Sequence, residues 1–353
     1  MELIPPFDFH RVIIDTWTND PFGHLGRGWL VLSGFLVAAA CGLVGNFLIL
    51  RRMALIGDAI SHSVLAGLAL AFLATHSFGA GAMMIGALIA GLATVGIVEV
   101  IHKKSRVKQD AAIGIAFTSL FALGVILVHV YMKNTHFDAD CVLYGNILHA
   151  AGPLIKIDLT SAQADTLSKI PLLNTPQFLD FDSQQLRLAP AAVLRMTVVL
   201  VAVLLVLRLF YKELVVCSFD PALAVSLGIN VTAFHLGLMA LLSITVVSAF
   251  EAVGAILVIA MLILPGATAH LISKRLPVIL GLTLVYALLS SLFGVHLARW
   301  LNINPPAAMV VAGTGLFITA WLFSPFDGPL AHYRRRRAPT QFPDELSPEN
   351  PAA

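Results

Sequence analysis

The chain has 353 residues, of which 58% are hydrophobic and only 12% charged, with a formal net charge of +2. Soluble domains carry about 25% charged residues, so half the usual charge is missing, and a mean hydropathy of +0.88 excludes a water-soluble globular domain. The charges that remain fall in short breaks between apolar runs of membrane-spanning length, which makes this a polytopic membrane protein with no expected nucleic-acid partner.

Residues 1–27 form an N-terminal extension. Its start, MELIPPFDFHRVIIDTW, has no basic region ahead of an apolar core and so carries no secretory signal; it is expected to lie along the membrane surface. A transmembrane domain follows over 28–325. Its candidate spans are 30–50, 55–74, 81–101, 111–132, 189–210, 231–250, 252–272, 277–298 and 305–323. A helix needs about 20 apolar residues to cross a hydrocarbon core about 30 Å thick, and these runs comply. They are rich in Leu, Ala, Val and Gly without alternation of period two, so they read as helices and not as barrel strands. The fold class is therefore all-α, with eight or nine transmembrane helices. The count turns on 231–272, where Glu251 followed by Gly254 is the one hint of a reversal or kink.

The second span opens with LIGDAISHSVLAG, residues 55–67. Asp58 and His62 sit four residues apart and share one helix face. Counted as a helix continuing from Arg51 at about 1.5 Å per residue, Asp58 lies roughly 10 Å inside the membrane and His62 roughly 15 Å. An ionisable residue at that depth costs at least about 2.5–3.5 kcal/mol on insertion scales. It should face a cavity, a partner or an ion. A carboxylate oxygen with an imidazole nitrogen suits Mn²⁺, Fe²⁺ or Zn²⁺, whereas Cu(I) calls for Cys or Met. Two ligands leave the site incomplete, and a two-fold partner chain would supply two more. The blander reading is a structural Asp–His hydrogen bond that locks two helices. Downstream, GALIAG at 86–91 is a small-residue packing signal, and Glu99 is most simply a snorkelling residue.

An outer segment follows the fourth span. In HFDADCVLYGNILHA, His136, Asp138 and Asp140 alternate and could attract a cation at the mouth, although a solvated loop explains them equally. An external insertion occupies about 151–188, and its role is not declared by its residues. Between the fifth and sixth spans, YKELVVCSFDPALAVSLGIN covers 211–230. Asp220 is placed as an N-cap, Pro221 as the first helical residue, and Gly228 as the closing residue of a short helix. So short a helix has too little apolar surface to be stable alone, and Leu223 and Leu227 are its candidate docking side chains. Glu251 snorkels at an outer interface or lies on a transport pathway. His129, His235 and His296 are isolated on apolar segments and read as packing residues. Residues 326–353 form a tail whose basic run Arg334–Arg337 leads into a Pro- and Glu-rich, disordered end.

Basic residues recur in alternate loops: Arg51 and Arg52, then 103–108, Arg208 with Lys212, Lys274 with Arg275, and Arg334–Arg337. The positive-inside rule makes this set cytoplasmic, with the N-terminus outside and the C-terminus inside. Cys41, Cys141 and Cys217 are isolated, so neither a disulfide framework nor a thiolate metal site is indicated. No G-x-x-x-x-G-K-[ST] motif is present, so the chain does not itself cradle ATP in a P-loop, and the lack of H-E-x-x-H disfavours an intramembrane zinc hydrolase.

The stretches RRMALIGDAISHSVLAGLALAFL (51–73), LYGNIL (143–148), FDPALAVSLGIN (219–230) and VGAILVIAMLILPGATA (253–269) together resemble the membrane permeases of bacterial ABC importers for zinc, manganese and iron. The resemblance covers most of 28–325. It implies a multi-pass protein of the bacterial cytoplasmic membrane, paired with a second permease chain, either identical or a close paralogue. It also implies two cytoplasmic ATPase subunits that hold the ATP, and an external metal-binding protein that delivers the ion. On this resemblance Asp58 and His62 are the intramembrane metal ligands, about 213–230 is the ATPase-coupling segment, and the divalent ion is cargo with no permanently bound cofactor. Ala66 stands where many members have proline, so the bend of that helix is expected to differ. Two rival functions are a proton-coupled secondary metal transporter using the same pair, and an ABC permease for a metal chelate or a vitamin.

Overall fold

A computed structural model of the chain describes residues 8–14, 17, 27–76, 80–131, 154–158, 179–180, 185–324 and 328–329. Its long helices, in chain order, are α1 (Arg27–Leu50), α2 (Ile56–Thr75), α3 (Ala80–Lys104), α4 (Gln109–Tyr131) and α5 (Ala191–Leu209). Two short helices follow, α6 (Tyr211–Phe219) and α7 (Pro221–Ser226), and then α8 (Val231–Val253), α9 (Ala255–Ile272), α10 (Leu276–Leu301) and α11 (Pro305–Phe323). Among the described residues, eight helices are long and apolar enough to cross a membrane. The apolar stretch of α9, Val258–Ile272, is shorter. A single π turn, His10–Ile14, packs near α10.

The hydrophobic run of α1 has no polar side, and that decides its place. A helix apolar all round belongs in an interior. Val37, Ala38, Ala39, Ala40 and Cys41 are fully buried, and α1 lies against α5, α8, α9 and α10. The amide nitrogen of its buried Asn46 is bonded twice. Asn46 Nδ2 donates to Gly42 O at 2.8 Å and to Thr283 Oγ1 at 2.9 Å, tying α1 to α10 across the core.

Without a hydrophobic driving force between helices in lipid, small residues let backbones approach closely. The 86–91 stretch does this twice. A Cβ on Gly86 would collide with the Gly67 carbonyl of α2, and a Cβ on Gly91 would strike Ser243 Oγ of α8. On the other side of α2, Gly124 of α4 abuts the Ala66 backbone. Helix α2 is therefore held between α3 and α4. It runs unbroken from Ile56 to Thr75, as suits alanine at position 66.

The hinge suspected near Glu251 lies at Gly254, whose φ of 82° ends α8 and starts α9. That conformation is open to glycine and costly for other residues. Within 151–188, and immediately beyond it, lies a small antiparallel sheet of β1 (Leu154–Asp158), β2 (Leu179–Asp180) and β3 (Gln185–Pro190), with order β1-β3-β2. Strand β3 leads directly into α5. Nothing in the residue pattern had pointed to these strands.

Candidate functional site

Helix α1 ends at its Arg51 side in a closed turn. Arg52 N–H bonds Ile49 O at 3.0 Å and Met53 N–H bonds Leu48 O at 2.9 Å, the paired bonds of a Schellman cap. Arg52 takes the left-handed position with φ 57°, which costs a non-glycine residue about 1 kcal/mol. Ile56 N–H then bonds Met53 O at 3.1 Å, and α2 begins. The turn breaks the continuous helix count from Arg51 to the Asp58–His62 pair. Asp58 lies in the first turn of α2, two residues or about 3 Å past Ile56, and His62 about 9 Å past it at 1.5 Å per residue.

The two side chains meet. His62 Nε2 lies 3.1 Å from Asp58 Oδ1, and the side chains are 27% and 29% exposed. Leu55 and Leu65 continue the same partly open stripe of α2, whereas Ile56, Gly57, Ala59, Ile60, Ser61, Ser63 and Val64 around them are buried. Two aromatic rings of α4 set the imidazole plane. Phe117 stacks on it at 5.6 Å and 30°, and Phe121 meets it edge-on at 5.6 Å and 78°. The nearby hydroxyls are turned inward: Ser61 Oγ donates to Asp58 O at 2.9 Å and Ser63 Oγ to Ile60 O at 2.8 Å. Ser61 and Ser63 thus satisfy backbone carbonyls and leave the carboxylate and the imidazole as the reactive groups. Among the described residues no group of three or more His, Cys, Asp or Glu converges as a metal site.

The predicted short helix at 220–228 takes the expected form. Asp220 Oδ1 accepts from the N–H of Ala222 and of Leu223, both at 3.0 Å, and Pro221 opens α7. Gly228, with φ 77°, closes it, as Ile229 N–H bonds Ala224 O at 3.0 Å. Leu223 and Leu227 stand 49% and 62% exposed, beside the equally open Phe219 and Val225. Residues 211–219 ahead of it form a second helix, α6, anchored by buried Leu214 and Cys217; the sequence reading had given them no structure.

The sequence profile of the ABC 3 transport family matches residues 28–161 and 183–324. The chain belongs to that family. The profile passes over 162–182, inside the external insertion. This ABC 3 transport protein is 41% identical over 302 residues to the manganese transport system membrane protein MntD of Bacillus subtilis, covering 86% of this chain and 93% of MntD. It is 39% identical to the zinc transport system membrane protein TroD of Treponema pallidum, over 85% of this chain and 74% of TroD. A solved structure, PsaBC from Streptococcus pneumoniae in complex with Fab, shares the fold with a TM-score of 0.64 at 30% identity, over 87% of this chain and 93% of that one. The ABC 3 protein is a multi-pass protein of the bacterial cytoplasmic membrane, as its apolar helices and its relatives agree.

The other candidate residues of this ABC 3 chain separate from the pair. His136, Asp138 and Asp140 lie outside the described residues, as does the side chain of Glu251, whose backbone is in the last turn of α8. His235 and Glu99 require correction. His235 is no isolated packing residue, and Glu99 does more than snorkel. Glu99 Oε1 lies 2.6 Å from Lys103 Nζ, and Glu99 Oε2 lies 3.4 Å from His235 Nε2. His235 Nδ1 in turn lies 3.3 Å from Arg51 Nη1, and Arg51 Nε donates to Ser218 Oγ at 3.0 Å. Burial lowers the Arg51 guanidinium from its ordinary value, although an arginine stays charged. One contact of this cluster was readable, because Glu99 and Lys103 are at helical spacing; the rest joins residues up to 184 positions apart.

Proposed function

We propose that this chain is the permease subunit of an ATP-driven importer that carries a bare divalent transition-metal ion, manganese, zinc or iron, along a path at the interface of two permease chains. The observation that carries the reading is the Asp58–His62 pair on the partly open stripe of α2. A dication entering a low-dielectric region needs replacement for its lost water, and an anion above all. A carboxylate oxygen and an imidazole nitrogen meet that need for Mn, Fe or Zn. The 3.1 Å contact between them supports a shared ion, and Phe117 and Phe121 pack on the imidazole in that orientation. A second chain, identical or closely related, brings its own pair to complete four-coordination. The relatives named for manganese and zinc transport systems support the same cargo class. Oxygen and nitrogen ligands bind these ions in an order that favours zinc over manganese, so selectivity is assigned to an external metal-binding protein that delivers the ion. The ATP sits on cytoplasmic ATPase subunits that dock on α7.

The deciding experiment is uptake into vesicles that contain the permease and its ATPase. Transport of Mn²⁺ or Zn²⁺ is expected to follow internal ATP and to persist when the proton gradient is collapsed. Loss of transport with the gradient, at saturating ATP, would establish the secondary transporter instead. The proposed orientation has its own check. Single cysteines in 102–108 are expected to react with an impermeant reagent only from the cytoplasmic side, and those in 160–180 only from outside. The opposite pattern would place α7 on the wrong face for ATP-driven coupling.

A further inference from the structure

The groups around Arg51 form a continuous chain of donors and acceptors. A guanidinium only donates, so His235 Nδ1 must accept from Arg51, and Nε2 then carries the proton toward Glu99. The order runs from Leu214 O, which accepts from Ser218 Oγ at 2.6 Å, through Ser218, Arg51, His235 and Glu99 to Lys103. It joins four elements: α6 at Ser218, the end of α1 at Arg51, α8 at His235, and α3 at Glu99 and Lys103, with α2 following through the turn after Arg51. These side chains line an open cleft of about 450 Å³. Arg51 Nη2 is buried there without a hydrogen-bond partner among the described residues. The guanidinium therefore has a spare donor.

Arg51 stands at a mechanical junction. On one side its Ser218 partner lies two residues before Asp220, the cap of α7. On the other side the closed turn after Arg51 leaves little slack before α2, because Met53 bonds back to Leu48 and Ile56 bonds back to Met53. Asp58 follows two residues later. A movement of α6–α7 that pulled on Ser218 would thereby reach the first turn of α2, with the His235–Glu99 arm bracing Arg51 from α8 and α3.

We propose that Arg51 is the positioning residue that couples movement of the α6–α7 segment to the Asp58–His62 pair, through its bond to Ser218 and its braced contact with His235. This rests on the reading of α7 as the ATPase-docking segment and of the pair as the metal site. Coupling residues of this kind shift the balance between states without touching either ligand. A purely structural clamp would instead change folding and leave the ratio of transport to hydrolysis intact.

The test compares Arg51→Gln, Ser218→Ala and the double variant, each purified in full complex with the ATPase and reconstituted. Uptake of Mn²⁺ and of Zn²⁺ is measured beside ATP hydrolysis. Each single variant is expected to assemble at normal yield, to bind the metal alone as the parent does, and to move about tenfold fewer ions per ATP hydrolysed, in the range of known coupling-network substitutions. The double variant should be no worse than Arg51→Gln, because both changes cut one link. Ratios within about twofold of the parent in both single variants would overturn the proposal, by the same coupling scale. So would Arg51→Gln failing to assemble while Ser218→Ala keeps the parent ratio, since Arg51 would then be only a brace. Failure of the underlying reading is distinguished by Leu223→Asp: if that variant keeps its ATPase, the docking assignment falls whatever Arg51 does.

Discussion

Asp58→Asn is expected to abolish metal uptake while leaving expression, pairing of the two permease chains and ATPase binding unchanged. Asparagine keeps the size of the side chain and removes the anion, and a dication in low dielectric then lacks its main compensation. Loss should exceed about a hundredfold, because even groups that merely orient metal ligands are worth about 10–100-fold. His62→Leu removes a nitrogen ligand without adding charge and should match it. The structure sharpens the contrast with a purely structural role. The Asp58–His62 contact lies within one helix, at i and i+4, so it cannot bolt two helices together. A helix-surface contact at this spacing stabilises a helix by only about 0.5 kcal/mol or less. Asp58 also complements the positive end of α2 from its first turn, a similarly small term. Neither variant should therefore lower thermal stability measurably, and a melting curve beside the uptake assay separates the two roles. Near-normal uptake by the double variant Asp58→Leu/His62→Leu would end the metal-site reading.

The second large effect concerns energy coupling. Leu223→Asp or Leu227→Asp is expected to detach the ATPase subunits and with them all ATP-driven transport. Both leucines are about half exposed or more on α7, so an aspartate there is solvated in the free permease and costs its fold little. In a docked complex the same carboxylate would be buried without a partner, a penalty of several kcal/mol, and about 2.7 kcal/mol already weakens binding a hundredfold. The backbone is prepared for such a role. The Asp220 cap and the Gly228 turn close α7 at both ends, and α6, itself packed on α5, α8 and α1, holds it in place. Co-purification of the ATPase at parent yield from either variant would sink the assignment.

What the residues alone determined follows from local rules. Membrane helices were legible because each must satisfy its own backbone and must be apolar for about 20 residues, a requirement that needs no tertiary information. The α7 helix was legible from capping chemistry, in which Asp220, Pro221 and Gly228 act within a few bonds of their own chain. The Asp58–His62 pair was legible because helical periodicity alone places them on one face. Tertiary structure decided the rest. The placement of the pair relative to Arg51 depended on a turn at 51–55 that breaks the helix count, held by backbone bonds that no side-chain pattern announces. The aromatic walls of His62 come from α4, some 55–59 positions along the chain. The Arg51 network draws on α1, α3, α6 and α8. In lipid, apolar faces do not say which helix they will meet, because lipid tails are as apolar as leucine. Which side chains come together is set by small-residue contacts such as Gly86 on Gly67 and Gly124 on Ala66, and those contacts exist only once the helices have packed.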